Sequence, residues 1–199
     1  MATTFLLIRH AAHDRVDHVL CGRMPGVHLG AAGRAQAEAL ARSLAREPVA
    51  ALHTSPAARC RETAAPLATA FGLGAAPDDA MDEIDFGAWT GQSFAALAPD
   101  PRWREWNIRR DTATAPGGES MAAAQARALR GIEALRQRYG NETVAVVSHC
   151  DIIKAVLSHH LGLPLQAYAR FEISPASVSR ISVRPGGACV LAMNERAPA

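Results

Sequence analysis

Long apolar runs, closely spaced cysteines and an excess of charge of either sign are all scarce in this sequence. The apolar stretch from Phe5 to Ile8 is cut off at once by Arg9, far short of the roughly 20 residues of a membrane span or the about 7 to 15 of a signal-peptide core. The expectation is a cytoplasmic protein with no membrane partner. The four cysteines, Cys21, Cys60, Cys150 and Cys189, include no CxxC pair, which argues against a zinc knuckle or redox dithiol and predicts unpaired thiols. With 21 Lys and Arg against 19 Asp and Glu, the formal net charge is only +2. No global field draws the chain to nucleic acid, so any anion site must be built locally. No repeat or low-complexity segment divides the 199 residues, of which 49% are hydrophobic, and a single domain over 1–199 with one substantial core is expected.

What is present alternates between strands and helices. Thr4 to Ile8 is short, apolar and unalternating, as a strand buried on both faces requires. From Arg34 to Arg46, Ala37, Leu40, Ala41 and Leu44 recur at helical spacing, after Gly30, where the lack of a capping hydroxyl predicts a frayed start. Val49 to His53 reads as a second strand, and Ser55-Pro56 as the start of a helix carrying Arg59, Arg61 and Glu62. The segment 77–118 holds all three tryptophans with little periodicity and is expected to cover one end of the sheet. A long helix follows Ser120, with Met121, Ala124, Ala128, Ile132 and Leu135 on one face. Thr143 to Val147 is the clearest strand, and Asp151 is placed to cap a helix through Leu161. Val178 to Val183 and Ala188 to Leu191 predict a hairpin around Pro185-Gly186-Gly187. The fold class is therefore α/β: a three-layer α/β/α sandwich with a mostly parallel central sheet and an antiparallel edge.

Ligands of such sheets bind beyond the carboxyl ends of the strands. Three strand ends should meet there: Arg9-His10, His53-Thr54-Ser55 leading to Arg59, and Ser148-His149. Clustered cationic donors suit a phosphoryl group, and a neutral imidazole oriented through one nitrogen supplies a nucleophile through the other. His10 fits that role. The proton donor to the leaving group is sought in Met81-Asp82-Glu83-Ile84-Asp85, where Glu83 is the candidate and Asp82 and Asp85 are rivals that periodicity cannot separate.

These residues resemble a known family, the histidine phosphatase superfamily with its phosphoglycerate mutase-like group. Leu7-Ile8-Arg9-His10-Ala11 is similar to the family's arginine-histidine-glycine signature, with alanine in third place. Ser55 to Thr63 resembles its second arginine motif, Glu83 to Gly91 its acid-bearing segment, Pro116 to Ser120 a further landmark and Ser148-His149 its second-histidine motif. The resemblance implies that His10 is phosphorylated, that Arg9, Arg59 and His149 grip the phosphoryl oxygens, that Glu83 donates the proton and that Arg23 touches substrate. It implies no metal and no cofactor for the hydrolysis of a small phosphorylated substrate. A mutase is the alternative activity, although it usually carries a longer covering insertion; a non-catalytic phosphate-binding protein is the alternative of another class. The oligomeric state is left open.

Two places depart from the family pattern. Cys150 follows the second histidine where glycine is common, and it reads as a small buried filler. His13, Asp14, Asp17 and His18 stand in the substrate-facing loop, where the acids favour a cationic or sugar-like group. The same four residues also admit a metal reading, although no helical register aims them at one point. Arg61 is expected at the surface, His159-His160 are expected as surface or packing residues, and Trp89, Trp103 and Trp106 either line the pocket or form the core of the covering segment.

Overall fold

A computed structural model describes residues 1–197. Its sheet is built from β1 (Thr3–Arg9), β2 (Val49–Thr54), β3 (Ala75–Pro77), β4 (Thr143–Ser148), β5 (Ser177–Arg184) and β6 (Gly187–Arg196). The strand order is β3-β2-β4-β1-β5-β6. The first four strands are parallel, and β5 and β6 add the antiparallel edge.

The period of two in a strand divides β1 and β4 between two cores. Phe5, Leu7, Val144 and Val146 face one core, and Leu6, Ile8, Ala145 and Val147 face the other. The second core is closed by α1 (Ala31–Leu44) and α2 (Ala58–Phe71), through Leu40, Leu44, Cys60 and Leu67. The first is closed by α5 (Met121–Arg138) and α6 (Cys150–His160). The expected three-layer α/β/α sandwich is the observed one.

Between β3 and α5 the chain forms two short 3-10 turns, Asp79–Met81 and Gly87–Trp89, followed by α3 (Phe94–Leu97) and α4 (Pro101–Ile108). Trp89 and Trp106 are 2% and 0% exposed and pack edge-to-face with Phe86 and Trp103. The tryptophans are therefore core residues of this segment, and none of them lines the cleft described below.

Some local expectations shift. Helix α1 begins at Ala31, three residues early, directly after Gly30, whose carbonyl accepts the amide of Arg34. A Cβ at Gly30 would meet Asp14 Oδ1 at 2.2 Å, so the missing cap reflects crowding, and the helix starts without a side-chain cap hydrogen bond. Helix α2 begins at Ala58 with Ala57 at its cap, because Ser55 is drawn into the site network. At α6 the cap position belongs to His149, and Asp151 is the second residue of the helix, in its first turn, where a carboxylate suits the helix dipole. Strand β3 went unread because its three residues end in proline and are all exposed.

Candidate active site

Parallel pairing of β1 with β4 sets Arg9 opposite Ser148, so both strands release a histidine at the same edge. The His10 and His149 rings lie 5.3 Å apart, edge to face. The amide of Ser55 bonds Val147 O and brings the end of β2 alongside. The loop after His10 is pinned by two helices: Thr63 Oγ1 of α2 accepts the amide of Ala11, and Gln36 Oε1 of α1 accepts that of Ala12. Gly33 permits this approach, since a Cβ there would lie 1.9 Å from Ala12 O.

The hydrogen bonds determine both tautomers. His10 Nδ1 lies 2.9 Å from the carbonyl of Ala11; a carbonyl only accepts, so Nδ1 carries the hydrogen and Nε2 keeps its lone pair. Burial, then the charges of His149, Arg59 and Arg9, hold the pKa of His10 well below 6.5. His149 has the opposite tautomer. Arg59 Nη2 donates to its Nδ1 at 2.9 Å, so the hydrogen is on Nε2 and points to Ser55 Oγ at 2.8 Å. Ser55 passes its own hydrogen to Asp82 Oδ1 at 2.9 Å. Arg59 is 2% exposed, and its Nε and Nη1, like Nε of Arg9, have no partner among the described residues. Buried guanidinium donors left unpaired are costly, which marks the place of an anion.

The acidic loop splits its carboxylates. Glu83 lines the cleft, and burial followed by the charge of Asp151 raises it to about 8. Burial also works against ionisation of Asp82, but the proximity of His149, whose Nε2 stands 3.6 Å away, and hydrogen bonds from the Glu83 amide and Ser55 outweigh it and bring Asp82 to about 2. Asp85 accepts the amide of Gly87 outside the cleft. The loop is held from behind by Arg127, which donates to the carbonyls of Asp79, Ala80, Asp82 and Glu83 and to Glu119 Oε1. Gly118 allows the Glu119 segment to approach, since a Cβ there would meet Asp85 O at 2.1 Å.

This arrangement can be set beside known proteins. The sequence matches the histidine phosphatase superfamily (branch 1) over residues 5–196. The chain belongs to that superfamily. It is 31% identical over 195 residues to phosphoserine phosphatase 1 of Hydrogenobacter thermophilus, covering 95% of this chain and 90% of that protein. It is 34% identical over 179 residues to the bifunctional protein Rv2228c of Mycobacterium tuberculosis, covering 89% of this chain but only 49% of that longer protein. Mycobacterial glucosyl-3-phosphoglycerate phosphatase Rv2419c superposes with a TM-score of 0.87 at 25% identity, covering 98% of this chain and 100% of that structure. As a histidine phosphatase, the chain is a hydrolase of small phosphate esters that works through a phosphohistidine.

Within this histidine phosphatase, Arg9, His10, Arg59 and Glu83 line one cleft, with His149 fully buried against His10 and Arg59. Arg23 lies outside the cleft lining: its guanidinium bonds Glu119 and the carbonyl of Glu83 and stands 3.5 Å from Asp82. The third histidine of the site is His13, stacked on His10 at 5.4 Å, whereas His53 turns away to pack on Tyr139. His13 lies in an irregular loop and has no periodicity to aim it. Among the described residues, no group of three or more His, Cys, Asp or Glu is placed to hold a metal ion. Cys150 lines the cleft, but burial pushes its thiol up to about 11. Arg61 is at the surface, donating to Pro56 O. Among the described residues, no helix is long and apolar enough to cross a membrane.

The buried imidazoles make the histidine phosphatase sensitive to acid. Burial leads in lowering all three, His149 to about 3, His13 to about 4 and His10 well below 6.5. An unfolded histidine near 6.5 takes up a proton that the folded site refuses, so this stability is fully present above pH 6.5 and is lost as pH falls toward 4 and 3. Glu83, raised to about 8, has the opposite sign, and its contribution is lost as pH rises through 8. Near pH 5 these three imidazoles, offset by Glu83, are therefore expected to take up about two protons on unfolding, and His53 and His160, also lowered by burial, add to that uptake. Denaturant titrations between pH 7 and 4 measure this directly; a stability independent of pH over that range would contradict it.

Proposed function

We propose that the protein is a metal-independent phosphomonoesterase in which Nε2 of His10 attacks the phosphorus of a small ester, forming a phosphohistidine that water then hydrolyses. The observation that carries this reading is the His10 Nδ1 contact with Ala11 O, which leaves Nε2 unprotonated beside the unpaired donors of Arg59 and Arg9. Those guanidiniums hold the equatorial oxygens through charge-assisted hydrogen bonds that strengthen as charge spreads in the transition state. His149 supports them through its Nδ1, which accepts from Arg59 Nη2 and orients that guanidinium. Glu83, raised to about 8, protonates the leaving alkoxide, and its carboxylate next takes a proton from the attacking water. Arg23 acts by holding the Glu83 loop in place.

In the same reading residues 1–199 form one cytoplasmic domain, with 77–118 as its covering segment. The phosphatase names of the Hydrogenobacter and mycobacterial proteins favour hydrolysis over a mutase activity. The test is hydrolysis of p-nitrophenyl phosphate in the presence of a chelator. Turnover unaffected by the chelator is expected. Loss of turnover in the chelator would remove the metal-free mechanism, phosphoryl exchange between phosphoglycerates without hydrolysis would indicate a mutase, and tight binding without turnover would indicate a binder.

A further inference from the structure

The cleft that holds the phosphoryl-binding arginines also has walls of a different chemistry: Val16, Phe86 and Phe94, together with two carboxylates, Asp17 and Asp151. A carboxylate in a cleft that must admit a phosphate dianion is unfavourable, because like charges at short range repel most strongly where water is excluded. Among the nearby cations outside the site, Arg23 is committed to Glu119, Arg15 turns toward Met24 Sδ, and Arg110 and Lys154 sit over the Tyr168 ring behind Asp151 and do not line the cleft.

Asp151 is nevertheless held in place by a buried assembly. The hydroxyl of Tyr168 donates to its Oδ1. The Tyr168 ring is gripped by Arg110, 3.8 Å from the ring centroid, and by Lys154, 4.2 Å from it. Both cations are buried, and Lys154 Nζ also donates to the Tyr168 carbonyl at 3.2 Å. Cations over an aromatic face hold a ring firmly, so the carboxylate is presented in one orientation, with no donor on its second oxygen among the described residues. The unpartnered donors of buried Arg59 mark where the phosphoryl group lies, and Asp17 and Asp151 line the same cleft, where the alcohol half of a bound ester would reach them.

We propose that the substrate is the phosphate ester of an amino alcohol, and that Asp151, oriented by Tyr168 and assisted by Asp17, determines specificity by receiving the substrate's ammonium group. This rests on the phosphatase reading above and narrows it to a substrate class. A cationic leaving group turns the repulsive carboxylates into partners and leaves an anionic one, such as a second phosphate or a carboxylate, disfavoured. Tyr168 is a positioning residue that acts through Asp151.

The experiment compares kcat/KM for phosphoethanolamine, its neutral isostere n-propyl phosphate and anionic 2-phosphoglycolate, with p-nitrophenyl phosphate as a reference. Wild type is expected to prefer phosphoethanolamine over n-propyl phosphate by about tenfold or more, as one charge-assisted hydrogen bond provides, with phosphoglycolate the poorest. Asp151→Asn should abolish that preference, and Asp17→Asn and Tyr168→Phe should reduce it. A ratio taken within one enzyme preparation cancels any change in the fraction folded, and both alkyl esters compared leave as alkoxides that take the Glu83 proton. Hydrolysis of p-nitrophenyl phosphate with no preference for the cationic ester would overturn this inference and leave the phosphatase reading intact. A preference that survives Asp151→Asn would overturn the assignment to Asp151. Failure of wild type to hydrolyse any of the four esters would remove the phosphatase reading, and this inference with it.

Discussion

Replacing His10 by alanine is expected to lower kcat for an aryl phosphate by on the order of a thousandfold or more, because it removes the group that accepts the phosphoryl unit. The size of the effect follows from how little else is in position. His149 uses one nitrogen to accept from Arg59 and the other to donate to Ser55, so it has no lone pair to offer. Burial raises the Cys150 thiol to about 11 and the Cys60 thiol to about 12, which leaves neither as a thiolate at neutral pH. Cys21 also lines the cleft with its thiol raised by burial, which among the described residues of the cleft leaves His13, stacked on His10 with its Nδ1 accepting the Arg15 amide. The decisive comparison is therefore His10→Ala against His13→Ala in steady-state assays on folded protein. Turnover retained in the first and lost in the second would move the nucleophile to His13.

Most of the site was legible because the strands that deliver it are unambiguous. Thr4 to Ile8 and Thr143 to Val147 are apolar on both faces, and their pairing alone carries Arg9-His10 and His149 to a common edge. His53 was misplaced for the same reason that it was noticed: it lies on a strand, but one position before the end, where alternation turns its side chain toward Tyr139. The choice among Asp82, Glu83 and Asp85 was beyond sequence because it depends on long-range partners. Asp82 is claimed by Ser55, 27 residues away, and the loop by Arg127, 45 residues from Asp82. Arg127 belongs to a helix otherwise read from its apolar face, and nothing in a helical period marks a surface arginine as the ligand of four carbonyls. Tyr168 was silent for a similar reason, since its meaning comes from Arg110 and Lys154, which reach it from separate elements.

Glu83→Gln separates proton transfer from binding, and its expected effect depends on the ester. An alkoxide leaving group needs a proton in the transition state, so kcat/KM for an alkyl phosphate is expected to fall by about 10² to 10⁴. A nitrophenolate leaves without one, and kcat/KM for p-nitrophenyl phosphate should fall by about tenfold or less. Dephosphorylation still requires a base to activate water, so the variant should accumulate phosphoenzyme on the aryl ester and show a burst of nitrophenolate followed by slow turnover. The pH dependence has a fixed sign. The donor must be protonated, and burial with the charge of Asp151 raises Glu83 to about 8 against the pull of Arg59 and Arg9. Wild-type kcat/KM for alkyl esters should therefore decline as pH rises through about 8, and that limb should be absent in Glu83→Gln. Asp82, held at about 2 by His149, the Glu83 amide and Ser55 despite its burial, stays ionised across this range and cannot supply the proton. An equal loss for alkyl and aryl esters with the alkaline limb unchanged would mean that Glu83 only shapes the cleft, and that the proton comes from elsewhere.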